Sequence, residues 1–141
     1  VEKFTELARI RCALEGLAAE LAVANIKPAQ IEKLRTLAGE IDEAAAKRDS
    51  RGYVSLNQKF HFSIYERANS PHLLRMVQDL WSQVGPFFNR LLESEGYILH
   101  ANEQHVKIVD ALAKGEAETV RRAIVKDITV AAEALTPRLT V

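Results

Sequence analysis

Residues 50–68 decide the fold of this chain, and they read SRGYVSLNQKFHFSIYERA. The apolar residues of this stretch recur at helical spacing, at Val54, Leu56, Phe60, Ile64 and Ala68. That spacing is typical of an amphipathic helix. Asp49 or Ser50 is suited to cap its N-terminus, because either side-chain oxygen can accept a hydrogen bond from a free backbone N–H of the first turn. The stretch therefore predicts a helix that turns one face toward a core.

Five other segments have similar spacing, so six helices are predicted in all. The others are expected at about 2–26, from Pro28 through Ile41, from Pro71 through Leu92, at about 101–114 and at about 116–135. Strand signals are almost absent, since the sequence has no Asn-Gly or Asp-Gly turn and no sustained alternation. Short connections favour antiparallel neighbours. The predicted fold is an all-α, antiparallel bundle of about six helices.

Details of the predicted helices can be tested individually. The first helix should turn a single apolar stripe inward, made of Leu7, Ile10, Leu14, Leu17, Ala18 and Leu21. Gly85-Pro86 should kink or break the fourth helix, because proline lacks the backbone N–H that a helix interior needs. A loop is expected around Glu95-Gly96, and Gly115 should end the fifth helix.

Composition fits one folded domain over residues 1–141, with 48% hydrophobic residues. Nineteen basic and nineteen acidic residues cancel, so the basic excess of a nucleic-acid-binding domain is missing. The single cysteine, Cys12, cannot form an internal disulfide, and no apolar run approaches the roughly 20 residues of a membrane span. We expect a cytoplasmic protein. The chain begins at Val1 and its only methionine is Met76, so we interpret it as part of a longer protein.

Four polar residues lie on helix faces that should be apolar: Asn57, His61, His105 and Asp127. Burying a carboxylate on such a face is unfavourable unless it is paired or bound to a metal. Two imidazoles, one carboxylate and one amide oxygen form a suitable ligand set for zinc, nickel, manganese or iron. Two plainer interpretations stay open: hydrogen-bonded core histidines, or a buried salt bridge between a histidine and Asp127.

Several motifs resemble one known family. Asn57-Gln58-Lys59-Phe60-His61 resembles the Asp/Asn-x-x-Phe-His motif of the FCD domain, the C-terminal effector domain of FadR-type transcription regulators in the GntR family. Residues 11–15 resemble its opening Arg-x-x-Leu-Glu helix, and residues 69–73 its Gly-Asn-Pro-type break. His105-x-x-Ile108-x-x-Ala111-Leu112, followed by Gly115-Glu116, resembles its His-x-x-Ile-x-x-Ala-Ile helix and Gly-Asp turn.

The resemblance implies a metal site made by one Asp or Asn and three histidines. By position, Asn57, His61 and His105 match the first three ligands, while Asp127 stands where the family has its last histidine. The family's set of one Asp and three neutral histidines carries one negative charge. The set of Asn57, His61, His105 and Asp127 also carries one. The expected cofactor is therefore a divalent metal, zinc or nickel first, with manganese or iron as alternatives.

The resemblance also implies a sensor rather than an enzyme, and HExxH and Glu-x-x-His signatures are absent. A small organic acid would complete the coordination of the metal. The domain would form a homodimer, and DNA would be contacted by an N-terminal winged helix-turn-helix domain that this chain lacks.

Arg11 is the first candidate for binding the effector carboxylate, and Arg90 is a weaker candidate. The alternative interpretation of Arg11 is an ion pair with Glu15. His100 is a further candidate metal ligand. Two other functions stay open: a metal-dependent enzyme, and a metal-free interaction domain.

Overall fold

The structure is a computed structural model, and it describes residues 1–100 and 102–139, with Leu99 described through its backbone alone. The described residues form seven α-helices and no strand. The helices are α1 (Glu2–Ala22), α2 (Pro28–Ala46), α3 (Ser50–Tyr65), α4 (Pro71–Phe88), α5 (Glu95–His100), α6 (Glu103–Lys114) and α7 (Ala117–Leu135). The all-α prediction is confirmed.

Six long helices match the six predicted ones, and α5 is an addition of six residues where a loop was expected. Ala101, the predicted start of the fifth helix, lies outside the described residues. Of the two outcomes predicted at Gly85-Pro86, the break is wrong, since α4 continues through Pro86 to Phe88, and the kink stays a prediction. Proline removes a single hydrogen bond there, close to the end of the helix. Burial of Val84 and Phe88 on the same helix keeps this last turn against the core.

The helix packing brings the polar faces of three helices together. α1 packs mainly along α7 and also contacts α3 and α4. α2 contacts α3 and α6, and α6 packs against α7. Consequently α3, α6 and α7 all border one core, whose centre includes the fully buried side chains of Phe60, Ile108 and Ile124. Among the helices described, none combines the length and the apolar content needed to cross a bilayer.

The inward face of α1 differs from the predicted stripe. Ile10, Leu17 and Leu21 are 39%, 43% and 41% exposed, so their predicted place in the core is wrong. The buried face is Phe4, Leu7, Arg11, Glu15, Gly16, Ala18, Ala19 and Ala22. The helix is thus rotated relative to its most hydrophobic stripe, because Arg11 pairs with Glu15 and the Glu15 carboxylate also accepts hydrogen bonds from Tyr65 and Trp81 of other helices.

Two helix ends form as predicted, with a side-chain cap at the start of α3 and a glycine at the end of α6. The Asp49 side chain accepts a hydrogen bond of 3.0 Å from the backbone N–H of Gly52 and caps α3. Gly115 closes α6 in the left-handed conformation, with φ of 69°. That conformation is unfavourable for residues with a Cβ atom. Gly115 therefore allows the chain to turn directly from α6 into α7, which carry two of the candidate ligands.

Replacing Gly115 with alanine should destabilise the fold by about 1 kcal/mol, because the left-handed backbone disfavours a Cβ atom. A Cβ at position 115 would meet no atom within 4 Å, so backbone strain is the whole effect. Gly39→Ala is the matched control: Gly39 is an exposed residue of α2 with equally open surroundings, and alanine there should stabilise by about 0.5–1 kcal/mol. Urea unfolding measures both, and shifts of the same sign would contradict this account.

Candidate metal centre

Three of the four predicted ligands meet inside the bundle. His61 from α3, His105 from α6 and Asp127 from α7 each offer one ligand atom, and these atoms lie within 4.8 Å of one another. The side chains of His61 and His105 are 1% and 0% exposed, and that of Asp127 is 13% exposed. The Asp127 side chain is therefore the most exposed of the three, and all three groups lie in the interior of the bundle.

Each oxygen of the Asp127 carboxylate faces one imidazole. The Nε2 atom of His61 lies 3.0 Å from Oδ2, and the Nε2 atom of His105 lies 3.5 Å from Oδ1. A metal ion about 2.1 Å from each ligand places neighbouring ligand atoms about 3.0–3.4 Å apart in octahedral or tetrahedral geometry. The two distances from imidazole to carboxylate match this spacing, and the three ligand atoms, which lie within 4.8 Å of one another, would have to move closer together around a shared ion.

The protonation of His105 is fixed by Asn102 and by α2. The side-chain nitrogen of Asn102 donates a 2.7 Å hydrogen bond to the backbone carbonyl of Ala38. Since that carbonyl can only accept, the Asn102 oxygen must be the atom that lies 2.9 Å from Nδ1 of His105. Nδ1 of His105 therefore carries the proton and donates it. In the neutral ring, Nε2 is left with a bare lone pair, and this buried atom has no hydrogen-bond partner.

The protonation of His61 follows from a second chain of hydrogen bonds. Tyr65 donates its only hydroxyl proton to Oε1 of Glu15, at 2.7 Å. The Tyr65 oxygen lies 3.0 Å from Nδ1 of His61, so it accepts the proton of that nitrogen. Hence Nε2 of His61 also presents a lone pair toward Asp127 when the ring is neutral. Metal-binding histidines are commonly held in this way, with the outer N–H donated to a neighbouring group.

Three acceptors consequently converge on one buried point. Two imidazole lone pairs and an ionised carboxylate repel one another in a medium of low polarity, unless a positive charge lies between them. A divalent cation would meet all three groups at once. A proton on Nε2 of His61 would satisfy that ring and Asp127 but would leave Nε2 of His105 without a partner.

Electrostatics favour the ligand forms of two of these groups. Burial lowers the pKa of His105 to about 4; the charge of Asp127 opposes this shift and His61 adds to it. Burial alone would raise the pKa of Asp127, but His105, His61 and Arg11 outweigh burial and leave the pKa below its ordinary value. At neutral pH the site therefore combines a neutral imidazole at His105 with an ionised carboxylate at Asp127.

A buried ion pair lies behind His61. Arg11 donates from Nε to Glu15 at 2.7 Å, and Trp81 donates its indole N–H to the same carboxylate at 2.9 Å. The Arg11 guanidinium also lies over the rings of Trp81 and Phe88, at 5.1 and 5.3 Å. The alternative interpretation of Arg11, a pair with Glu15, is therefore present and is buried. Contact between Arg11 and an effector stays a prediction.

Asn57 lies one helical turn before His61 on α3 and is 7% exposed. Within the described ranges, no hydrogen bond engages its side-chain amide, so its oxygen is available to a ligand. His100 is 66% exposed and pairs with Glu103 at 3.2 Å, so the surface position of His100 contradicts its suggested role as a metal ligand. Arg90 is half-exposed and bonds Glu93.

Sequence reasoning missed the residues that orient the predicted ligands. Asn102 precedes His105 by three positions, the spacing of a helix cap that can turn back to the first turn, and this signal was available. Glu15 and Tyr65 could not be found from spacing, because their role depends on contacts between α1 and α3.

A second missed pair is Tyr53 and Tyr97, which are 1% and 7% exposed and whose hydroxyl groups are hydrogen-bonded to each other. Tyr53 lies one turn before Asn57 on α3, and Tyr97 is contributed by α5. Their rings meet edge to face, with centroids 6.0 Å apart. Burial is the largest cause that raises the pKa of both hydroxyls. The negative charge of Asp127 raises both further.

Comparison with known proteins gives a family for most of this chain. A family model described as "FCD domain" matches residues 6–129. The chain belongs to the FCD domain family. The resemblance inferred from the motifs is thereby confirmed, and the FCD match contains all the predicted ligands.

Two curated relatives align with this FCD domain. The HTH-type transcriptional regulator McbR of Escherichia coli (strain K12) is 36% identical over 89 residues, which are 63% of this chain and 40% of McbR. The probable D-xylose utilization operon transcriptional repressor of Paenarthrobacter nicotinovorans is 32% identical over 119 residues, which are 84% of this chain and 52% of that protein. The chain thus spans about half the length of these relatives. Both are described as transcriptional regulators, in agreement with the prediction that the domain is not an enzyme.

Solved structures agree with the fold. E. coli McbR/YncC superimposes with a TM-score of 0.90 at 28% identity, over 97% of this chain and 69% of that chain. Streptococcus agalactiae GntR superimposes with a TM-score of 0.75 at 19% identity, over 92% of this chain and 58% of that chain. At that identity the second similarity supports the fold alone.

The metal-free domain should lose stability as the pH falls from 6.5 to about 4, because the unfolded chain protonates His105 in this range and the folded chain does not. The shift from 6.5 to about 4 corresponds to about 3 kcal/mol, lost progressively over that window. Urea unfolding in the presence of EDTA measures it. His105→Gln should flatten this part of the profile, and an unchanged slope in that variant would contradict the assignment.

Proposed function

We propose that this FCD domain is the effector-sensing part of a FadR-type GntR transcription regulator. The supporting observations are the family match, the two curated relatives and the similarity to McbR/YncC. DNA binding would belong to a winged helix-turn-helix domain outside this chain, since the chain itself has a formal net charge of zero. Such a regulator would work in the cytoplasm, where it meets operator DNA.

The sensor would contain a divalent metal held by His61, His105 and Asp127, with Asn57 as fourth ligand. One observation carries this proposal: the buried Nε2 atom of His105 faces a carboxylate oxygen at 3.5 Å without a hydrogen-bond partner. Zinc and nickel suit two imidazoles with one carboxylate, and manganese or iron are alternatives. When bound, the ion supplies a Lewis-acidic position at which the carboxylate of a small organic acid can coordinate.

A metal-free bundle is the second candidate, and one distance favours it. Nε2 of His61 lies 3.0 Å from Oδ2 of Asp127, which is also the length of a charged hydrogen bond. In that state His61 would be protonated and the pair would be a buried salt bridge. The metal hypothesis is preferred because the salt bridge gives Nε2 of His105 no partner.

The sensing signal would leave the site through α1. His61 donates to Tyr65, Tyr65 donates to Glu15, and Glu15 belongs to α1. α1 also packs along α7, which carries Asp127. An effector that binds one arrangement of these helices better than another shifts the population between them. Such a shift would change how the DNA-binding domains of a dimer are held.

Homodimer formation would use the outer face of α1. Ile10, Leu17 and Leu21 are exposed and, with the half-buried Leu14, form an apolar stripe along this helix. Exposed apolar stripes of this kind favour association. A second copy of the chain could bury the same stripe against itself in a twofold interface.

His61→Ala should abolish metal retention, because it removes a central ligand from the protein. It should also remove the thermal stabilisation that an organic acid effector gives to the metal-loaded protein. Elemental analysis and thermal unfolding of untagged protein measure the two effects. The control is His72→Ala, which deletes an imidazole from a surface position bonded to Arg75. Equal metal content in both variants would argue against the proposed centre.

Leu17→Glu should convert the dimer to a monomer, because it places a charge in the middle of the proposed apolar interface. Light scattering after gel filtration measures the mass of the particle. Val106→Glu introduces the same charge at a residue of α6 that is 45% exposed, and it should leave the dimer intact. A Leu17→Glu variant that remains dimeric would exclude this face of α1 as the interface.

A further inference from the structure

A polar cavity of about 440 Å³ lies in the groove between α6 and α7. Pockets that bind small molecules are of about this size. Neither His105 nor Asp127 belongs to the lining of this cavity, although both are residues of the same two helices. A ligand held in the groove would therefore be separate from the candidate metal centre and would not depend on it.

The lining of this cavity has an excess of positive charge. Its charged members are four basic and two acidic side chains: Lys107, Lys114, Arg122, Lys126, Asp110 and Glu116. The lining thus carries a net charge of plus two, whereas the whole chain has a formal net charge of zero. Basic groups concentrated in a cleft attract anions.

The two acidic side chains of the lining already have partners. The Asp110 carboxylate accepts a 3.0 Å hydrogen bond from Arg35 of α2. The Glu116 carboxylate accepts one of 3.2 Å from the hydroxyl group of Thr119. Lys107 lies 3.4 Å from Glu103, at the surface. Arg35 and Glu103 lie outside the lining and have opposite charges, so together they leave its excess unchanged.

Two of the basic side chains lie on one face of α7. Arg122 and Lys126 are four residues apart, and like charges at this spacing destabilise a helix. Glu118 lies one turn before Arg122, but both oxygens of its carboxylate accept hydrogen bonds from Arg121. An anion held between Arg122, Lys126 and Lys107 would remove this repulsion.

A buried amide in the same lining lacks a partner. Gln104, in the first turn of α6, is 8% exposed, and among the residues that the structure describes none is hydrogen-bonded to its side chain. Buried amides are normally hydrogen-bonded. The amide of Gln104 has both donors and an acceptor, so it requires a ligand that can accept and donate. A phosphate dianion only accepts, whereas a hydroxyl group does both.

We propose that the groove between α6 and α7 binds a small phosphomonoester that also carries hydroxyl groups, such as a phosphorylated polyol. Lys107, Arg122 and Lys126 bind the phosphate group, whose charge of about minus two at neutral pH matches the excess of the lining. The Gln104 amide binds the polyol part, and its oxygen accepts a hydroxyl proton. Both unusual features of the lining, the charge excess and the unpartnered amide, are then satisfied by one molecule.

Calorimetric titration at constant ionic strength with glycerol 3-phosphate, inorganic phosphate and glycerol tests the proposal. The protein is first treated with EDTA and dialysed, so that no ion in the core can bind phosphate. We expect glycerol 3-phosphate to saturate at one molecule per chain. It should bind about three- to tenfold more tightly than inorganic phosphate, because only its hydroxyl groups can donate to Gln104. Glycerol alone should give no binding signal.

Variants locate the binding in the groove. Lys107→Gln combined with Lys126→Gln should weaken glycerol 3-phosphate at least about tenfold, because two charge-assisted hydrogen bonds are lost. The matched control combines Lys33→Gln with Lys47→Gln, which removes the same charge from exposed positions of α2 and its C-cap and should leave the affinity unchanged. Gln104→Leu should lower the affinity for glycerol 3-phosphate to that for inorganic phosphate.

Two results would overturn the proposed groove site. Binding of glycerol 3-phosphate that does not saturate would indicate diffuse attraction to surface charge, and so would equal losses of affinity in the two double variants. Equal affinities for glycerol 3-phosphate and inorganic phosphate in the unmodified protein would exclude recognition of the polyol by Gln104. This last comparison needs no variant, so it decides the role of the amide even if Gln104→Leu does not fold.

Discussion

The core depends on proton acceptors that converge away from water: the Asp127 carboxylate, the Nε2 lone pair of His105 and, when its ring is neutral, the Nε2 lone pair of His61. Two imidazole lone pairs and the carboxylate of Asp127 would be unfavourable together without a positive charge between them. The surrounding groups keep the acceptors in this state. Ala38 orients Asn102 and Asn102 orients His105, while Glu15 orients Tyr65 and Tyr65 orients His61. Residues of α1 and α2 therefore decide which nitrogen of each ring faces the centre.

The ligand-bearing faces could be predicted from the sequence because helical spacing fixes which side chains share a side. His61, His105 and Asp127 each follow the apolar residues of their own helix into the core, and the family resemblance linked the three helices to one site. The rotation of α1 could not be predicted. Its exposed stripe of Ile10, Leu17 and Leu21 is more hydrophobic than the face that is buried.

The buried face of α1 has a cause that lies in other helices. Arg11 and Glu15 are tolerated inside because Tyr65 of α3 and Trp81 of α4 add hydrogen bonds to the Glu15 carboxylate. Spacing along α1 contains no sign of these partners. The short helix α5 was missed for a different reason, since six residues are too few to establish a period. Its residue Tyr97 is nevertheless buried against Tyr53.

The near-complete burial of both imidazoles has a kinetic consequence. A solute that reaches the Nε2 atoms of His61 and His105 must pass the Asp127 side chain or wait for the bundle to open locally, since these rings are 1% and 0% exposed. Openings that separate core helices are rare events and approach the cost of global unfolding. Solutes should therefore exchange with this centre far more slowly than with the surface of the bundle.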